Sequence, residues 1–140
     1  MENITQQTSR FQAIELCMAY NFEAVLLVGR EGLPLAFAKS SHDPEKLAAI
    51  TAIFRKSAHQ IQSQMAWDGI EEVTATSRDG QRLVGRLIML EDEEFILVIL
   101  LPHWISYRKA TTEAIETIRQ AWHNRKQENA VGSGAFRQKA

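Results

Sequence analysis

The segment Phe95-Ile96-Leu97-Val98-Ile99-Leu100-Leu101 is the most apolar in the chain, and it constrains the fold more than any other feature. Even counted through Pro102 it is far too short to cross a bilayer as a helix. An apolar run without alternation reads as a β-strand buried on both faces, so it belongs at the centre of a sheet. Ala24-Val25-Leu26-Leu27-Val28 is a second strand of the same kind. Two such strands demand cover on both sides, which helices supply. A chain of 140 residues suits one domain that can bury a core without metals or disulfides.

The helices show in the periodicity. Ile4, Phe11, Ile14 and Met18 recur at helical spacing and predict an apolar stripe on a first helix over residues 4–20, ended by Asn21. Asp43-Pro44 opens the next helix, with Asp43 as cap and Pro44 at the first helical position. It should run to Met65 or Trp67, before Asp68-Gly69. Leu47, Phe54 and Ile61, with Thr51, Ala58 and Met65 beside them, predict the stripe that packs on the sheet. Outside that stripe the surface is unusual. Ala48, Ala49, Ala52 and Ile53 make its first half small and apolar; Arg55, Lys56, His59, Gln60, Ser63 and Gln64 make its second half polar. Apolar residues beyond one helix face point to a contact with something else.

Turn chemistry places the remaining elements. Glu31-Gly32 links the first strand to Leu33–Ala38, where Pro34 indicates an edge. Glu71–Ser77 is a short polar strand, Asp79-Gly80 a hairpin turn, and Leu83–Leu90 a strand broken by Gly85. Glu91-Asp92-Glu93-Glu94 forms the next turn. A last helix should begin near His103 or Trp104, with Tyr107, Thr111, Ala114, Ile115, Ile118, Ala121 and Trp122 facing inward. After Asn124 the periodicity stops, and residues 125–140, with Gly132-Ser133-Gly134, read as a flexible tail. The basic residues there are dilute, which suits a solvated segment.

Composition and motifs exclude several functions. A formal net charge of −1 gives no global attraction for nucleic acid or acidic membranes. One cysteine, Cys17, allows no internal disulfide, and Met1-Glu2-Asn3 does not begin a secretory signal, so the cytoplasm is the expected compartment. Gly29, Gly32 and Gly85 match no phosphate loop. His42, His59, His103 and His123 are scattered without metal-ligand spacing, and the acidic turn lacks that of a calcium loop. Cys17 reads as a structural thiol. No acid, base and nucleophile set emerges, so no catalytic residue, metal or cofactor is expected and the chain reads as a binding protein. The aliphatic strands also argue against a small-molecule sensor. Trp67 either covers the sheet edge or anchors a partner.

Three segments carry a resemblance to a known family. Ala24–Ala36 is similar to its apolar strand, charged-Gly turn and G-x-P second strand, here Gly32-Leu33-Pro34. Pro44–Met65 resembles its long Ala-rich helix. Arg82–Leu101 and the helix entered through Ile105-Ser106-Tyr107-Arg108 resemble its closing hairpin and helix. Over residues 5–123 the chain looks like the roadblock/dynein light chain family, related to the longin fold, as a bacterial or archaeal-type member. The resemblance implies one roadblock-like domain over residues 1–124, of α+β class. Its order is α-β-β-α-β-β-β-α, with a five-stranded antiparallel sheet 2-1-5-4-3. The long helix lies on one face and the terminal helices on the other.

The resemblance also implies a homodimer joined through the middle helix and third strand. Ala49, Ile53, Glu72, Thr74 and Thr76 are the expected interface. The residues fit this on their own account, since the third strand has neither Pro nor Lys to block edge pairing. Family members of this type associate with Ras-like small GTPases, as regulators or scaffolds. The implied partner surface is Ala52, Arg55, Lys56, His59, Gln60 and Ser63. The other reading is an adaptor that binds a non-GTPase complex whatever the nucleotide.

Overall fold

The computed structural model describes residues 4–38 and 43–139, with side chains described over 7–16, 19–38 and 43–124. His42 and the side chain of Cys17 lie outside these residues. The elements are α1 (Ile4–Tyr20), β1 (Ala24–Val28), β2 (Pro34–Ala38), α2 (Pro44–Met65), β3 (Glu72–Thr76), β4 (Gln81–Leu90), β5 (Glu93–Pro102) and α3 (Arg108–Lys139). The five strands are antiparallel in the order β2-β1-β5-β4-β3. Both the element order and the sheet order are those expected. The most apolar segment is the central strand, and Pro34 is on an edge.

The sheet divides its side chains between two cores. Ile96, Val98 and Leu100 of β5, with Ala24, Leu26 and Val28 of β1, pack under Leu47 and Ala48 of α2. The alternate residues Phe95, Leu97, Ile99 and Leu101, with Val25 and Leu27, pack under Ala13 and Leu16 of α1 and Ala114 and Ile118 of α3. This is why neither strand alternates. Each such buried aliphatic side chain contributes about 1.5–3 kcal/mol relative to exposure.

Helix ends follow the local chemistry. The Asp43 side chain accepts the Glu45 amide at 3.0 Å. Asn21 and Ala66 both adopt the left-handed conformation that ends a helix, at φ 62° and 55°. α2 therefore stops at Met65, and Trp67 lies beyond it.

Several expectations need correction. On α1 the buried side is Ser9, Ala13 and Leu16, while Phe11 and Ile14 are 63% and 43% exposed; Ile4 and Met18 have no described side chain. Small residues on α1 and on the facing α3, where Ala110 and Ala114 are buried, let the helices close together. On α2, Leu47, Thr51, Phe54 and Ala58 are buried as expected, but Ile61 and Met65 are exposed. The last buried residue of the helix is Ala58, so its final two turns project past the residues that it packs on.

β4 is not broken at Gly85. A Cβ there would stand 2.7 Å from Cδ2 of Phe54, so the glycine makes room for the ring of α2. Within the acidic turn, Glu91 takes φ 60° while Glu93 and Glu94 already belong to β5. α3 begins at Arg108, later than expected, because Arg82 Nη2 donates to the carbonyls of His103 and Ile105 at 2.7 and 2.9 Å and holds that segment out of helix. At its other end α3 continues to Lys139. The loss of apolar periodicity after Asn124 does not end the helix, since Gln127, Glu128 and Ala130 are good helix formers and no proline intervenes.

Candidate functional site

The polar half of α2 gathers at the tips of two hairpins. Arg55 is its anchor. Its Nη1 donates to the Arg30 carbonyl and its Nη2 to the Gly29 carbonyl, each at 3.1 Å, in the β1–β2 turn. Its Nε lies 3.0 Å from Oε1 of Glu94, at the start of β5. The other carboxylate oxygen of Glu94 lies 3.1 Å from Nε2 of His59, one helical turn further on. One side chain thus clamps α2 to both hairpins, and Glu94 holds two residues of the helix at once. A partly buried guanidinium sharing carbonyls and a carboxylate is a strong set of contacts, since charge-assisted hydrogen bonds exceed neutral ones.

Around this anchor lies a shallow open groove lined by Ala52, Arg55, Lys56, His59, Gln60, Ser63 and Gln64. All six residues expected to bind a partner are on it, joined by Gln64. Five are exposed; Arg55 is the exception, turned in toward the sheet. Beside it a second groove involves His59, Gln62, Ser63, Ala66 and Trp67.

The flank of α2 and the sheet edge carry the residues expected at a dimer contact. Ala49 and Ile53 are exposed one turn apart. Ile61, Met65 and Trp67 extend the exposed apolar surface toward the helix end. Among these, Ile61 and Met65 are additions that the stripe through Leu47 and Phe54 obscured. β3 pairs only with β4, so its outer edge is open. Thr74 and Thr76 are exposed on it. Glu72 is engaged elsewhere: its Oε2 accepts from the Tyr107 hydroxyl at 2.6 Å and from Thr74 Oγ1 at 3.1 Å. Burial, and then this bond to Glu72, push the Tyr107 phenol above its ordinary pKa of 10.0.

A polar cluster behind β3 has no counterpart in the sequence reading. Arg86, 6% exposed, donates from Nη1 to Thr111 Oγ1 and Thr112 Oγ1 at 2.8 and 2.7 Å. Its Nη2 meets Glu71 Oε1 at 3.0 Å, and the same oxygen takes Arg108 at 3.1 Å. Arg82 stacks over the Tyr107 ring, 5.3 Å from its centroid. The available signal was the period of two in β4, which puts Arg82 and Arg86 on the same face as Val84 and Ile88. Charges on a core face require partners, and these bind β3 and β4 to the start of α3.

Chemically, these arrangements suit docking. Among the described residues, no three His, Cys, Asp or Glu side chains are gathered in a way that could hold a metal ion. Among them, too, no helix is long and apolar enough to cross a membrane.

No protein-family sequence model matches the chain, and no curated protein matches it in sequence. Solved structures do. MglB of Myxococcus xanthus is similar with a TM-score of 0.76 at 15% identity, over 89% of this chain and 94% of that one. The gliding protein MglB of Thermus thermophilus gives 0.72 at 14% identity, over 89% and 95%. A roadblock/LC7 domain of Streptomyces avermitilis gives 0.53 at 11% identity, over 78% and 86%. At these identities the likeness is one of fold, and it spans nearly the whole of each partner.

Proposed function

From a chain that carries the fold of MglB and roadblock/LC7 proteins, we propose a non-catalytic, homodimeric protein-binding platform of the cytoplasm that docks a Ras-like small GTPase. The observation that carries this reading is the surface of α2. Its flank presents Ile53 to solvent, its last turns present Ile61 and Met65 with Trp67 just beyond, and the outer edge of β3 is open. An exposed apolar flank next to an unprotected strand suits two-fold pairing with a second copy. In such a pair the grooves that hold Lys56, His59, Gln60 and Ser63 lie on neighbouring helices. They offer a polar surface around an apolar seam, the composition of a docking interface. The resemblance of the three sequence segments to roadblock proteins supports a small GTPase as the occupant. Arg55 serves as a clamp on the hairpin tips in this reading and does not reach into a partner.

The test has two parts. Light scattering should give a dimer, or an assembly of dimers, for the wild type, and Ile53→Glu should break the α2 contact. The wild type should then retain a small GTPase of its source organism loaded with a GTP analogue and release it when loaded with GDP. Retention in both states would favour a nucleotide-independent adaptor. An unchanged mass for Ile53→Glu would remove the basis for the platform.

A further inference from the structure

His59 is held at one ring nitrogen and open at the other. Its Nε2 lies 3.1 Å from Oε2 of Glu94, and the other oxygen of that carboxylate meets Nε of Arg55 at 3.0 Å. Arg55 is anchored in turn on the Gly29 and Arg30 carbonyls, so the carboxylate is fixed in place. The His59 side chain is 55% exposed. Among the described residues its Nδ1 has no partner. His59 and Ser63 line both grooves of α2, so the ring stands where the two meet.

The pairing decides which nitrogen carries the proton. An ionised carboxylate only accepts hydrogen bonds, so the nitrogen facing Glu94 is the donor. An uncharged imidazole has a single N–H, and with Nε2 as donor, Nδ1 keeps a bare lone pair. The groove therefore holds an oriented acceptor on a ring that cannot turn without losing Glu94. Lys56 lies one turn earlier on the same helix face, exposed and without an ion-pair partner among the described residues. A cation brought to Nδ1 would meet that ammonium, and a carboxylate would meet the lone pair. An uncharged O–H or N–H suits both neighbours.

We propose that His59 is a specificity determinant of the α2 groove, accepting at Nδ1 a hydrogen bond from an uncharged O–H or N–H of the docked protein. Glu94 is its positioning residue, acting through the ring. This rests on α2 being the docking surface and adds the chemistry of one contact to it.

Two substitutions separate recognition from structure, because a carboxamide can replace either ring nitrogen. Gln carries its amide near the position of Nε2, and Asn near that of Nδ1. His59→Gln thus keeps a donor for Glu94 and loses the outward acceptor, while His59→Asn does the reverse. The probe is the small GTPase that the wild type retains, loaded with a GTP analogue and titrated by calorimetry in mildly alkaline buffer, which keeps imidazole uncharged. His59→Gln should weaken binding about three- to tenfold, the scale of one neutral hydrogen bond, and His59→Asn less than about twofold. Urea denaturation should rank them the other way, with His59→Gln the more stable. In the same buffer, long-range proton–nitrogen correlation spectra of the free wild type should place the His59 proton on Nε2. A proton on Nδ1 overturns the proposal with no partner present. So does any ranking in which His59→Gln binds as well as His59→Asn, since affinities that follow stability, or that match the wild type, leave His59 a structural role only. If the wild type retains no GTPase, the docking surface falls and this contact with it. If it binds and the ranking fails, the docking surface stands and this contact alone falls.

Discussion

The Nε of Arg55 and Oε1 of Glu94 stand 3.0 Å apart, and this contact joins the middle of α2 to the first residues of β5. Because the same guanidinium also holds the Gly29 and Arg30 carbonyls, its loss frees two hairpin tips together. Arg55→Ala should lower the folding free energy by about 1.5–3 kcal/mol, the range for hydrogen bonds to a charged group. His59→Ala, which removes a more exposed partner of Glu94, should cost less than half as much. Urea denaturation of the two variants checks the ranking.

Gly85 and Phe54 form a lock between β4 and α2. Gly85→Ala forces a methyl group against the ring and should destabilise by about 1–3 kcal/mol. Phe54→Leu in the same chain should recover part of that loss, because the smaller side chain gives way. A double-mutant cycle in urea reads the coupling. Strict additivity would mean that the strand and helix accommodate the methyl group by another route.

Arg86 is buried among hydroxyls, and Glu71 supplies its closest carboxylate, at 3.0 Å. Removing one partner of a buried charge is more damaging than replacing the pair. Glu71→Ala should therefore destabilise by about 1–2 kcal/mol, the lower value reflecting the exposure of Glu71 to solvent. Arg86→Met combined with Glu71→Ala should be more stable than Glu71→Ala alone. Thermal unfolding of the three chains separates these cases.

Tyr107 makes stability depend on pH at the alkaline end. Its folded pKa is raised, so the neutral phenol is the form that the fold favours. That contribution is complete below the ordinary value of 10.0 and fades as the pH climbs through the raised one. Tyr107→Phe should cost about 0.5–1.5 kcal/mol at neutral pH through the lost bond to Glu72. The gap between wild type and variant should close above pH 10.0, as measured by denaturation from neutral to alkaline pH.

The legible part of the fold was what local pattern dictates. The runs at 24–28 and 95–101 mark the two inner strands, Asp43-Pro44 the start of α2, and Asp79-Gly80 the β3–β4 hairpin. On α1, periodicity offers two faces, and the larger side chains point to the wrong one. Close approach to α3 selects the small residues Ser9 and Ala13 for the inside. The exposure of Ile61 and Met65 depends on where α2 lies across the sheet, which its own periodicity does not show. The groove on α2 was legible because helical spacing alone brings Ala52, Lys56, His59 and Ser63 together. The clamp at Arg55 was not, since its carbonyl partners lie 26 and 39 positions away. Tertiary contacts of that kind leave no local signature.

The clamp at Arg55 also divides α2 into stretches of unequal permanence. Amides before it lie over the sheet and can exchange with solvent only when the core opens. Those beyond His59 have no such cover and should take up deuterium by local fraying. A protein laid along that unsupported end would slow uptake there and leave the rest of the helix unchanged. The exchange profile of one helix then reads its own occupancy, with the clamped turns serving as the internal reference.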